Sequence, residues 1–231
     1  MAARRVDDTP DAQPQTQTLS HQKLKALQPE LYSSHSWRKF LRENGYRLSS
    51  PDEDADHWKN YVAENLQRGV CEAAVVVSQS PLLIAAYAGE LDCVALLSFS
   101  SQFATRYDLK IGSRLLAVNI YLEWNFFLPE DLNPGPRQTG KYRNFAPLIA
   151  EFLIDDAELI KDKKAEITKA EWQRAEALGK EYLKRHGEKA RDGRPLLCHL
   201  PAKEAAKEAA KEAAKEAAKE APKAPAKTRK R

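Results

Sequence analysis

Between Arg68 and Arg106 the chain carries no Lys or Arg, and this stretch is rich in Val, Leu and Ala. So long a run without a cation predicts a buried sheet at the centre of the fold. Within it, Ala74 to Val77, Leu82 to Tyr87 and Asp92 to Phe99 are separated by the turn signals Ser78-Gln79-Ser80-Pro81 and Ala88-Gly89-Glu90. Such short connections predict an antiparallel meander, because parallel pairing needs a crossover of about a dozen residues. A short helix over Ser101 to Asp108 and a turn at Gly112 lead to a fourth strand, Arg114 to Leu122. There Leu116, Val118, Ile120 and Leu122 form an apolar face, and Leu115, Ala117, Asn119 and Tyr121 form a mixed one.

Helices are expected on both sides of this sheet in sequence. Ser36 can cap one that holds Trp37, Phe40 and Leu41, with Gly45 to end it. Ser50-Pro51-Asp52-Glu53 opens a second, followed by Trp58, Tyr61, Val62 and Leu66 at helical spacing and closed by Gly69. Pro147 is read as the start of a third, with Leu148, Ile149, Phe152, Leu153, Leu159 and Ile160. Thr168 and Glu171 form a capping box for a fourth that turns Trp172, Ala175, Leu178 and Tyr182 inward and ends at Gly187. The expected fold is α+β: a two-layer domain over residues 31–190, with a four-stranded, largely antiparallel sheet covered by amphipathic helices.

All 19 aromatic residues lie between Tyr32 and Tyr182, so both ends of the chain are expected to be tails. Residues 1–30 are rich in Gln, Thr, Asp and Pro, with isolated Leu19, Leu24 and Leu27, and read as mostly disordered, with a short docking helix over Leu19, His21 and Lys23 to Leu27 as the alternative. Residues 191–202 read as a linker. Residues 203–221 repeat Lys-Glu-Ala-Ala, whose members are all strong helix formers and whose Lys and Glu stand three apart, and read as a single solvated helix. Residues 222–231 read as a basic, disordered terminus.

The formal charge of +4 is a property of that end. Residues 201–231 hold 10 of the 37 cations and 5 of the 33 acids, which leaves 27 against 28 for the rest, a charge of −1. Only the terminus, through Lys227, Arg229, Lys230 and Arg231, suits non-specific phosphate contact. No apolar run approaches the ~18–20 residues of a membrane span, so no membrane partner is expected. Three cysteines, at 71, 93 and 198, and an N-terminus without an apolar signal core point to a reduced, cytoplasmic protein, with a nucleoid or nuclear place as the alternative that the basic terminus allows.

The sequence offers little chemistry. Asn133-Pro134-Gly135-Pro136-Arg137 lacks the spacing and the Lys-Ser/Thr pair of a phosphate loop. None of the five histidines forms a helical i, i+4 metal pair, and there is no Cys-x-x-Cys. Cys71 or Cys93 with His57 as base is outweighed by a packing role for both thiols. No catalytic residue, metal ligand or cofactor is assigned, and the chain reads as more of a binder than an enzyme.

One segment stands out. Glu123 to Asn144 is a loop of about twenty residues in which Trp124, Phe126 and Phe127 precede Arg137, Lys141, Tyr142 and Arg143. Aromatic and cationic side chains together can form a protein hot spot or stack on bases and hold phosphates. Trp124, Arg137, Lys141, Tyr142 and Arg143 are therefore the candidate partner contacts. The first functional expectation is a non-enzymatic binding or adaptor module for a protein partner, its reach extended by the charged tail. The alternative is a nucleic-acid-associated protein using the basic terminus and this loop.

Overall fold

The computed structural model of the chain describes residues 18–44, 55–122, 129, 131–136, 142 and 144–202. The protein is α+β, built on a curled, antiparallel sheet. The meander forms as expected: β1 (Val70–Gln79), β2 (Leu82–Ala88) and β3 (Cys93–Phe99) pair in sequence order, with Ala74 opposite Ala86 and Ala86 opposite Ala95. β4 (Arg114–Leu122) pairs with the far side of β1, which places Ala117 opposite Glu72. Two further strands extend the sheet, β5 (Leu132–Pro134) beside β3 and β6 (Asn144–Ile149) beside β4, giving the order β5-β3-β2-β1-β4-β6. The two-residue β7 (Arg191–Asp192) runs parallel to β3, sharing its outer edge with β5.

The sheet thus has six strands on its main path rather than four. β5 is three residues long, ends on Pro134 and is followed by Gly135, too short to show a period. β6 is where a helix was expected at Pro147. A proline suits the first turn of a helix, but it equally suits an edge strand, where its missing N–H breaks no ladder. β6 pairs only with β4, and all six of its residues are buried. The helical turns follow later: a 3-10 turn over Ala150–Phe152 and then α5 (Ala157–Glu166), capped by Asp156, which accepts from the Leu159 N–H at 2.9 Å.

β2 is buried at every position, and helices cover both faces of the sheet instead of one. On one face lies α6 (Lys169–His186), opened by the Thr168–Glu171 capping box. Its Trp172, Ala175, Leu178 and Tyr182 pack on Val75, Val77, Leu83, Ala85 and Leu96. A Cβ at Gly179 would sit 2.5 Å from the Ala85 Cβ, so this glycine sets how closely the helix approaches the sheet. The opposite face holds a larger core with side chains of α1 (His21–Leu27), α2 (Ser34–Glu43), α3 (Ala55–Arg68) and α4 (Ser101–Arg106). In α2 the cap is Ser33, not Ser36. The Ser50–Glu53 start signal and the Gly45 stop lie outside the described residues.

Both expected domain boundaries move outward. Leu19, Leu24 and Leu27 are buried, and the Ser20 N–H donates to the Leu153 carbonyl at 2.7 Å, so the chain joins the core from Leu19. At the other end Leu196, Leu197, Cys198 and Ala202 are buried and Arg191 is fully so; the segment expected as a linker is domain structure. The short docking helix forms as α1, capped by Ser20 and with Leu24 and Leu27 buried, while the apolar residues after Arg191 dock on surfaces supplied by distant parts of the chain and show no local period. The repeat and the basic terminus, residues 203–231, lie outside the described residues. Among those described, no helix is long and apolar enough to cross a membrane.

Candidate functional site

Arg191 is a lone cation on the two-residue β7, and its side chain is 0% exposed. A buried guanidinium needs partners for all its N–H groups. Its Nε and Nη2 fork onto Asp131 at 2.8 and 2.9 Å, and its Nη1 donates to Asn144 Oδ1 at 2.9 Å and to the Phe145 carbonyl at 3.1 Å. Asp131 also accepts the Ala202 N–H at 2.7 Å, and Asn144 Nδ2 donates to the His199 carbonyl at 2.8 Å. One arginine thereby fastens the residues on either side of the long Gly/Pro-rich segment, together with the C-terminal stretch.

The two feet of that segment are held further. On the N-terminal side, Asn133 Nδ2 donates to the Leu178 carbonyl at 3.1 Å and Arg185 donates to Asn133 Oδ1 at 3.2 Å. The Gly135 N–H donates to the Asp92 carbonyl at 2.5 Å. Asp92 has φ of 44° and holds Arg174 through two hydrogen bonds, at 2.8 and 3.2 Å, while Tyr87 donates to it at 2.9 Å. A Cβ at Gly135 would collide with both members of the Asp92–Arg174 pair, so any other residue at this foot would push that pair aside. Pro134 and Pro136 are exposed, and here the chain reaches the surface. On the C-terminal side Tyr142 is 3% exposed and stacks on Tyr121, with centroids 4.9 Å apart.

Tyr121 leads to a carboxyl that the sequence did not single out. Glu72, on β1, accepts the Tyr121 hydroxyl at 2.7 Å, the Gly89 N–H at 2.6 Å and the amide of Asn119, which also donates to the Tyr87 carbonyl at 2.7 Å. Burial pushes the Glu72 carboxyl up to about 7 against the pull of these three donors. Its electrostatic partner on β3, Cys93, is wholly buried and its thiol is raised far above the usual range by burial. Cys198 is pushed up to about 12 for the same reason, which suits both thiols to packing rather than nucleophilic work. Burial, helped by the charge of Arg191, lowers His199 to about 4.

Of the residues expected to touch a partner, Tyr142 is corrected: it is a buried foot of the loop, stacked inward because Tyr121 offers it an aromatic face. Trp124, Arg137, Lys141 and Arg143 lie outside the described residues, as do Lys227, Arg229, Lys230 and Arg231. Asp131, Asn144 and Arg191 carry no shared local signal. Glu72 carried one, as an acid inside the cation-free stretch. A separate open cleft of about 300 Å³ is lined by Lys23, Tyr107, Glu151, Asp155, Lys161 and Lys164. Its lysines already face carboxylates: Lys23 lies 3.4 Å from Asp155, Lys164 3.1 Å from Glu151 and Lys161 2.9 Å from Glu158. Among the described residues no group of His, Cys, Asp and Glu is placed to hold a metal ion. Comparison of the chain with protein-family models, with curated proteins and with solved structures finds no match.

Proposed function

We propose that the protein is a non-enzymatic binding or adaptor module that contacts an acidic protein surface through the segment between Pro136 and Tyr142 and the residue that follows it. The supporting observation is the anchoring of both feet on Arg191, through Asp131 on one side and Asn144 and Phe145 on the other. Ordering a loop costs about 1–2 kcal/mol per residue fixed, and a scaffold that holds its ends lowers what binding must supply. The short span so framed carries Arg137 and Lys141, with Arg143 just beyond Tyr142, and no acid. A cationic loop on rigid feet suits a complementary acidic partner. The charged tail from residue 203 onward would extend the reach of the module.

The test compares the full chain with the Arg137→Ala/Lys141→Ala/Arg143→Ala variant, using a labelled oligoglutamate peptide as probe across a salt series. The expected result is salt-sensitive binding by the native chain, loss of that binding in the variant and the same melting temperature for both. Equal binding by the two proteins refutes the assignment. Tighter binding of random duplex DNA than of the peptide moves the reading to nucleic acid.

A further inference from the structure

The Glu72 carboxyl is bonded to both of the elements on which the loop's feet stand. One route runs through the β2–β3 turn: Gly89 donates to Glu72 at 2.6 Å, the Asp92 N–H donates to the Gly89 carbonyl at 3.1 Å, and the Asp92 carbonyl accepts from Gly135 at 2.5 Å. The other runs through β4: Tyr121 donates to Glu72 at 2.7 Å, and its ring carries Tyr142. The approach at the turn is close, since a Cβ at Gly89 would stand 2.6 Å from Glu72 Oε1.

We infer that Glu72 is a proton-operated latch that, when ionised, ties the Gly135 and Tyr142 feet firmly to the sheet and, when protonated, holds both more weakly. The inference rests on the loop-binding reading for its purpose and deepens it by naming its regulation. The geometry favours the ionised form: three donors converge on the two carboxyl oxygens, from Gly89, Asn119 and Tyr121, and hydrogen bonds to a charged acceptor are the stronger ones. A carboxylate accepts all of them, whereas a protonated carboxyl has a donor of its own to place. The Tyr121 oxygen already accepts the Glu90 N–H at 3.2 Å. If it also accepts the Glu72 proton, the Glu72–Tyr121 bond reverses, the Tyr121 hydroxyl proton loses its acceptor, and the Gly89 and Asn119 bonds lose the help of the carboxylate charge.

The titratable groups about Glu72 among the described residues are Glu90 from the turn, Tyr121 from β4 and Cys93 from β3. Glu90 raises the Glu72 carboxyl by like charge, while Tyr121 and Cys93 are both held in their neutral forms by burial. Burial of Glu72 itself brings its titration to about 7, within reach of ordinary changes in acidity.

The test is an NMR titration of the uniformly labelled full chain between about pH 5 and pH 9, bracketing neutrality. It follows the Glu72 carboxyl carbon, the Gly89, Glu90 and Gly135 amides and the Tyr142 ring. The expected result is one shared midpoint near neutrality for all of them, moved upward in Tyr121→Phe, which removes a donor from the carboxylate, and absent in Glu72→Gln. A Glu72 midpoint in the usual carboxylate range overturns the latch, as do Gly135 and Tyr142 signals that stay flat while Glu72 titrates. No partner is needed for this readout. A failed latch therefore leaves the loop reading standing, and a failed peptide-binding test leaves the latch standing.

Discussion

Arg191 and Asp131 are joined by two hydrogen bonds, at 2.8 and 2.9 Å, across sixty residues of sequence and with the arginine entirely out of water. A buried ion pair adds little net stability over a well-packed apolar pair, but removing one partner strands the other. Asp131→Asn keeps the shape and an acceptor while leaving the guanidinium charge uncompensated, and it should cost about 3–5 kcal/mol in urea unfolding. Arg191→Met should cost a similar amount, because the Asp131 charge is left uncompensated and Asn144 and the Phe145 carbonyl each lose a donor. The double variant should cost clearly less than the two singles together. Strict additivity would show that the pair is not coupled and that the loop's feet are held independently.

Trp172 is the anchor of the α6 face. It is 4% exposed, packs among Ala175, Leu178 and the strand residues, and has the Arg114 guanidinium 5.1 Å above its ring. Trp172→Ala should lower stability by about 3–5 kcal/mol, as expected for an aromatic side chain deleted from a packed core. A loss under about 1 kcal/mol would mean that the helix contributes little to holding the sheet.

Two truncations separate the tail from the domain. The residues from 203 to 220 contain no uncharged side chain larger than Ala, so ending the chain at Ala202 should leave the thermal midpoint unchanged. Ending it at Ala190 removes Arg191, Leu196, Leu197 and Cys198 from the core and should abolish cooperative unfolding. A lower midpoint for the first truncation would place part of the repeat against the domain.

The elements with regular periods were legible in the sequence: the meander, with its short turns and its freedom from cations, and α6, with its capping box and one apolar face. What escaped has a common cause. Leu196 and Leu197 lie in a short run bounded by Pro195 and Pro201 that has no helical or strand period, and they are buried because the fold brings them to a surface assembled elsewhere. Pro147 carries a signal that a helix start and an edge strand share, and only the pairing with β4 decides between them. The site shows the same division. The cations at 137, 141 and 143 stand out by composition, while Arg191, bonded to residues 47 and 60 positions earlier, does not.

Glu72 and His199 make opposite contributions to the dependence of stability on pH. Glu72 titrates near 7 in the folded protein against about 4.5 in the unfolded chain, so between these values the folded state binds the extra proton. Its contribution is fully present below the unfolded value and is lost as pH rises through the folded one, a swing of about 3 kcal/mol. His199 titrates near 4 when folded against 6.5 when unfolded. The unfolded state then binds the extra proton, and stability present above 6.5 is lost as pH falls through 4. The two slopes oppose each other from about pH 4.5 to 6.5, which hides both in the native protein. Urea unfolding at a series of pH values should expose them singly. Relative to the native chain, Glu72→Gln should gain stability as pH rises from about 5 to 8, and His199→Gln should gain it as pH falls from about 6.5 to 4. If the Glu72→Gln difference stays constant across that range, the carboxyl does not change its proton affinity on folding and cannot act as the latch.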